Sequence, residues 1–173
     1  MSFQLSLSTE SVASAYPDEP LFVAPEASVG EVLQLLRAQN NGSVLVCNNS
    51  AGSERVTGEG GAASGKLLGI FTERDALRAM AASAAGGNDL EQAVSTVMSK
   101  NPVCLQADTS VSDAITTMSD GGYRHLPIVD SAGLPTGMAS VYGIMHYLVD
   151  HFPQTIYNLP PEPSVGPSDR EGA

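Results

Sequence analysis

The chain has 173 residues, 42% hydrophobic and 5% aromatic with no Trp, which predicts one compact domain or two very small ones cored by Val, Leu, Ile, Met and Ala. A net charge of −11, with eight Lys and Arg in all, excludes the basic field that nucleic acid or an anionic membrane surface requires. No apolar run nears the ~20 residues of a bilayer span and no basic-then-apolar leader opens the sequence, so the expected location is the cytoplasm.

In chain order, the elements come twice. Around Val12 to Tyr16 a short helix is expected, then an extended piece, "LFVAP". Ser28, with Glu31 three residues on, signals the start of an amphipathic helix whose buried face is Val29, Val32, Leu33 and Leu36. Two apolar strands follow, "SVLVC" and "LLGIF". Between them lies "NNSAGSERVTGEGGAASGK", a Gly/Ser/Asn-rich stretch that reads as a mobile surface loop. A helix with Ala76, Leu77 and Met80 inward closes the first set.

The second set repeats this order. Leu90, Val94, Val97 and Met98 are spaced for one helical face, and "VCLQAD" is extended. Ser110 and Asp113 open a helix that buries Val111, Ala114, Ile115 and Met118. The strands "HLPIV" and "TGMAS" follow, then a helix with Ile144, Met145 and Leu148 inward. Pro20 to Val46 aligns without a gap on Pro102 to Ile128 at an offset of 82, and from Gly69 on Gly137 the offset is 68. Copy one therefore carries a 14-residue insertion within 48–66.

A three-stranded sheet with helices on one face leaves its other face uncovered. Two such units packed sheet to sheet as a pseudo-twofold pair solve that problem, giving an α/β (α+β) fold with unit 1 at 8–84 and unit 2 at 88–150. The remainder, 151–173, divides into a piece with Phe152, Ile156, Tyr157 and Leu159 that can dock and a Pro/Gly/Ser-rich end expected to be disordered. Cys47 and Cys104 read as buried small hydrophobes in a reducing compartment. His146 and His151 lack a nearby Cys partner and read as solvent or interface residues rather than metal ligands.

The duplicated frame, with "VMSKNPVCLQADTSVSDAITTM", "YRHLPIVD" and "GIFTERDALRAM", resembles the tandem CBS domain pair, or Bateman module, over roughly residues 8 to 150. The resemblance implies a stand-alone regulatory module, not an enzyme, because the family's enzymes carry catalysis in separate domains. It also implies an adenosine-containing ligand (AMP, ADP, ATP or S-adenosylmethionine) in a cleft between the units, and a flat homodimer through helices. A regulated protein partner and magnesium accompanying the nucleotide are compatible with it.

The family's ribose and phosphate signature, Gly-x-x-Thr/Ser-x-x-Asp, is intact at Gly69, Thr72 and Asp75. In copy two it reads Gly137, Ser140 and Gly143, without the acid. Ile70 and Val23 would line the adenine pocket. Arg124 and His125, before Leu126-Pro127, would reach the phosphates from the partner copy, whereas copy one has Gly42-Ser43 there. One competent cleft and one damaged cleft are therefore expected.

Physical chemistry supports that assignment. An ionised carboxylate can accept both hydroxyls of a ribose through charge-assisted bonds, and the first helical turn favours its charge. Thr72 could donate to a phosphate beside the free N–H groups of that turn. Thr72-x-x-Asp75 is equally a plain helix cap. Arg124 and His125 fit a strand edge, and Arg74 and Arg78 fit a solvated or acid-paired helix face. A scaffold of the same fold that binds no nucleotide is the alternative.

Overall fold

Ser28 and Ser110 start the two amphipathic helices as their spacing predicts. In the computed structural model, which describes residues 7–48, 56–57, 65–84 and 90–157, the Ser28 hydroxyl accepts from Glu31 N–H while Glu31 reaches back to Ser28 N–H at 2.8 Å, opening α1 (Val29–Ala38). Ser110 Oγ accepts from Asp113 N–H at 3.0 Å to open α4 (Val111–Gly121), and its hydroxyl donates to Asp113 Oδ2. Each cap satisfies backbone donors that a helix start otherwise leaves unpaired.

Each cap delivers its helix onto a small sheet. In the first, β1 (Leu21–Val23) runs parallel to β2 (Ser43–Cys47), which pairs antiparallel with β4 (Leu67–Thr72). Two-residue strands β3 (Val56–Thr57) and β5 (Ser99–Lys100) extend its edges, giving the order β3-β1-β2-β4-β5. The second sheet keeps the expected three strands, β6 (Leu105–Gln106), β7 (His125–Val129) and β8 (Pro135–Ser140), in that order. The two short edge strands differ in origin: β3 lies in the insertion, whereas β5 belongs to the opening segment of copy two, which thereby adds a strand to the first sheet. The rest of the insertion, 49–55 and 58–64, lies outside the described residues.

Period-two alternation sorts the strand side chains between two layers. In β2 every residue is buried. Val44 and Val46 join Leu21, Val23 and Phe71 beneath α1 and α2 (Glu73–Ala84). Leu45 and Cys47 face the other way, where with Ile70 and Met138 they form the layer between the sheets. The second core gathers Leu105, Val111, Ala114, Leu126 and Ile128 with Ile144 and Tyr147 of α5 (Val141–His151). The two units thus pack sheet to sheet. Both cysteines are free, and burial pushes the Cys47 thiol up to about 12 and raises that of Cys104.

The opening segments of the repeats exchange partners. Val12 and Ala15, in and beside the 3₁₀ turn Val12–Ser14, are buried in the second core, and Val12 N–H donates to Thr109 O at 2.8 Å. Reciprocally, α3 (Val94–Val97) contributes Val94 to the first core, and Val94 N–H donates to Ala27 O at 2.7 Å. Leu90 precedes this helix and is largely exposed. This exchange ties each unit to the other by backbone bonds.

The closing helices of the repeats differ from expectation in phase. Leu77, Met80 and Met145 are 68%, 53% and 60% exposed, while Ala76, Ala79, Ile144 and Tyr147 are buried. The Leu/Met stripe has the periodicity of a core face but is turned outward, and smaller residues pack under it. After α5, Phe152 packs against the second core and α6 (Pro153–Tyr157) leaves Tyr157 exposed. Residues 158–173 lie outside the described residues. No described helix is long and apolar enough to cross a membrane.

Candidate functional site

At the junction from β4 to α2, Thr72 is the last strand residue and Asp75 the third helical one. Asp75 is buried, and its Oδ2 accepts from Thr72 N–H at 3.0 Å and from the Thr72 hydroxyl at 2.9 Å. Its Oδ1 lies 3.5 Å from Arg78 Nη1, whose side chain is 71% exposed. Asp75 therefore caps its own helix, and the Thr72 hydroxyl is already committed to it. A carboxylate has about four lone-pair positions, so Oδ1 keeps capacity for a further donor.

Two backbone bonds hold this junction against its counterpart. Glu73 N–H donates to Gly42 O at 3.1 Å, and Val141 N–H donates to Arg124 O at 3.0 Å, the pseudo-symmetric contact. The residues just before β2 and β7 are thereby pinned beside the two helix starts. On the far edge of β4, β5 pairs Ile70 with Ser99 and Gly69 with Lys100. A Cβ on Gly69 would lie 2.5 Å from Met98 Sδ and 2.8 Å from Ser99 O, so glycine is what lets β5 approach. Asn101, at φ +48°, then turns the chain across the cleft.

These elements enclose a cavity of about 280 Å³ between the units. Ile70, Thr72 and Asp75 from unit 1 and Arg124 and His125 from unit 2 all line it. Val23 does not: it is buried beneath the helices of unit 1, in register with Val46 and in phase with Leu21. Val103 lines the cavity as an apolar wall where Val23 was expected. Arg74 and Arg78, read from sequence as solvated or acid-paired, also line it, as do Lys100, Asn101 and Tyr123. Lys100 and Asn101 fall on Asp18 and Glu19 under the repeat offset, and Tyr123 directly precedes Arg124. The pseudo-twofold frame was the available signal for them.

Burial lowers the His125 pKa from its ordinary value. Asp18 and Glu73 pull it back up and Arg124 presses it further down. At neutral pH its ring is accordingly a neutral donor and acceptor rather than a cation.

The second cleft differs more than its residues foretold. A groove of about 480 Å³ there is lined by Asp18, Gly42, Ser140 and Tyr142, but also by Arg124 and His125, so these two reach both sides. At the position matching Asp75, Gly143 N–H donates to Ser140 Oγ at 3.0 Å, and Tyr16 O packs where a side chain would go. Among the described residues, no group of three or more His, Cys, Asp or Glu is placed to hold a metal ion.

The CBS-domain family model matches residues 94–150. A CBS-domain containing protein of known structure from Agrobacterium tumefaciens superimposes with a TM-score of 0.65 at 29% identity, over 85% of this chain and 98% of that one. The chain belongs to the CBS-domain family. The repeat, the paired sheets and that near-complete overlap make it a CBS pair.

Among relatives, this CBS pair is 29% identical over 128 residues to an uncharacterized 17.7 kDa protein of Acidianus ambivalens, covering 74% of the chain and 66% of that protein. It is 32% identical over 132 residues to the meiotically up-regulated gene 70 protein of Schizosaccharomyces pombe, and spans only 16% of its length. Two further CBS structures, at 18% identity, share the fold. One, from Pyrobaculum aerophilum, is complexed with AMP (TM-score 0.64, covering 82% of this chain and 99% of that one). The other, the CBS domain pair of protein MJ0100, holds 5′-methylthioadenosine and S-adenosyl-L-methionine (TM-score 0.66, covering 82% and 98%).

Proposed function

We propose that this CBS pair is a ligand-sensing regulatory module that binds an adenosine-containing nucleotide between its two repeats, 8–84 and 88–150. The observation that carries this reading is the shared cavity. A buried carboxylate, Asp75, comes to it from unit 1, and Arg124 and His125 come from unit 2. Asp75 Oδ1 accepts the ribose hydroxyls, Arg124 and His125 take the phosphate, and Ile70 with Val103 flanks the base. The neighbours that carry AMP and S-adenosyl-L-methionine support the ligand class.

Because the ligand touches both units, its occupancy favours whichever packing of the two sheets brings Asp75 and Arg124 together. A regulatory change needs only such a difference in affinity between two states. The test is a thermal-shift panel of AMP, ADP, ATP and S-adenosylmethionine, with and without magnesium. A ligand present at 100 times its Kd is expected to add about 2.7 kcal/mol of stability. A flat panel would favour a scaffold that binds no nucleotide.

We further propose a homodimer through α2 and α5. Leu77, Met80, Tyr142 and Met145 project from these helices and are all largely exposed. Apolar side chains clustered on one surface mark a contact face. The double variant Leu77→Glu/Met145→Glu is expected to convert a dimer to a monomer in light scattering. A wild-type chain that already runs as a monomer at micromolar concentration refutes the dimer.

A further inference from the structure

We infer that the cavity between the units selects its ligand by charge, admitting adenine nucleotides that bear a phosphate chain and disfavouring a cationic sulfonium nucleoside. This deepens the proposed function and rests on reading the cavity as an adenosine site. The argument begins with a count. The whole chain has eight Lys and Arg against nineteen Asp and Glu. Four of those eight, Arg74, Arg78, Lys100 and Arg124, line this one cavity, opposed there by only Glu73 and Asp75. A chain of net charge −11 thus has a cavity whose lining carries two more cations than anions.

The four cations converge from three separate elements: Arg74 and Arg78 from α2, Lys100 from β5, and Arg124 from the approach to β7. They cross the boundary between the units, so no single amphipathic helix face accounts for the cluster. Lys100 is placed there by the β4–β5 pairing with Gly69. Asp75, the buried acid of the set, already accepts two bonds from Thr72 and faces Arg78, so its charge is partly met.

The cavity opens past Arg124 onto a neighbouring groove of different charge. Gly42, Arg124 and His125 line both it and the adjoining groove of about 480 Å³. Beyond Arg124 that groove carries Asp18 and no further Lys or Arg, so the cationic lining holds a phosphate chain on the cavity side of Arg124. S-adenosylmethionine would bring a sulfonium and an ammonium to the same place with only one carboxylate of its own, a net positive charge. Like charges repel there, and each phosphate gains a charge-assisted bond instead.

Calorimetry on the full chain with adenosine, AMP, ATP and S-adenosylmethionine tests this, at low and at raised salt. Affinity is expected to rise roughly tenfold or more from adenosine to ATP, with S-adenosylmethionine weaker than ATP by at least that factor. Raised salt should weaken ATP far more than adenosine, because these cations are exposed and screened. Lys100→Ala should reduce the ATP-to-adenosine preference roughly tenfold, with the melting temperature of the variant reporting its fold. Equal binding of ATP and S-adenosylmethionine, or an unchanged preference in Lys100→Ala, overturns charge selection and leaves the adenosine site standing. A panel in which no adenosine compound binds overturns both.

Discussion

Asp75→Ala is expected to weaken nucleotide binding by roughly 100-fold or more and to cost about 1–3 kcal/mol of stability. The two effects arise from opposite sides of one carboxylate. Oδ2 holds Thr72 N–H and the Thr72 hydroxyl, at 3.0 and 2.9 Å, and removing it leaves a partly buried donor unpaired at the start of α2. Oδ1 is the oxygen left for a ribose, and hydrogen bonds to a charged acceptor contribute about 1.5–3 kcal/mol each. Losing two of them gives the expected change in Kd.

Asp75→Asn separates the roles. Its amide oxygen still accepts from Thr72 N–H, so most of the cap survives, but the charge that binds both hydroxyls is gone. We expect a fall in affinity of at least about tenfold with little loss of stability. Calorimetry measures the first and urea unfolding the second. An Asp75→Ala protein that folds and binds nucleotide with unchanged Kd would mean that this carboxylate is a helix cap and nothing more.

That dual role explains how much of the site was legible beforehand. Thr72 and Asp75 are local, three residues apart at a strand-to-helix junction, and the family resemblance supplied Arg124 and His125 as their opposite number. Val23, carried to the pocket by the resemblance, lies instead in the core of unit 1, and the sequence offered no check because both faces of β1 are apolar. Hydrophobicity cannot tell the face beneath the helices from the face toward the other sheet. The register with Val46 decides it, and register is a tertiary fact.

The same ambiguity hid the outward turn of Leu77, Met80 and Met145, since a helical stripe of Leu and Met suits a core and a contact surface equally. Lys100 sits on a two-residue strand in the opening segment of copy two. No periodicity marks so short an element. The exchange of Val12 and Val94 between cores depends on long-range partners, Thr109 for Val12 and Ala27 for Val94, beyond any local signal.

Restoring the signature in copy two is expected to damage the protein rather than to create a second site. Gly143 stands where copy one has Asp75, yet a Cβ there would lie 2.5 Å from Tyr16 O and 3.3 Å from Ser140 Oγ. The carbonyl cannot easily retreat. Tyr16 has φ +49°, and its ring packs against His146 and His151 at centroid distances of 5.5 and 5.9 Å. Two residues on, Asp18 exchanges both backbone bonds with Met138, at 2.8 and 3.1 Å.

Overpacking of this kind costs about 1–3 kcal/mol, and Gly143→Asp adds a carboxylate buried against a carbonyl oxygen. Gly143→Ala is the sharper test because its sign is at stake. Helix propensity alone would make alanine at this position in α5 stabilising by about 1 kcal/mol, whereas the contact with Tyr16 O makes it destabilising. A rise in the midpoint of urea unfolding for Gly143→Ala would sink the packing argument. A fall would mean that the second cleft lost its acid to the segment that fastens residues 12–18 onto unit 2, and that nucleotide should titrate at one equivalent per chain.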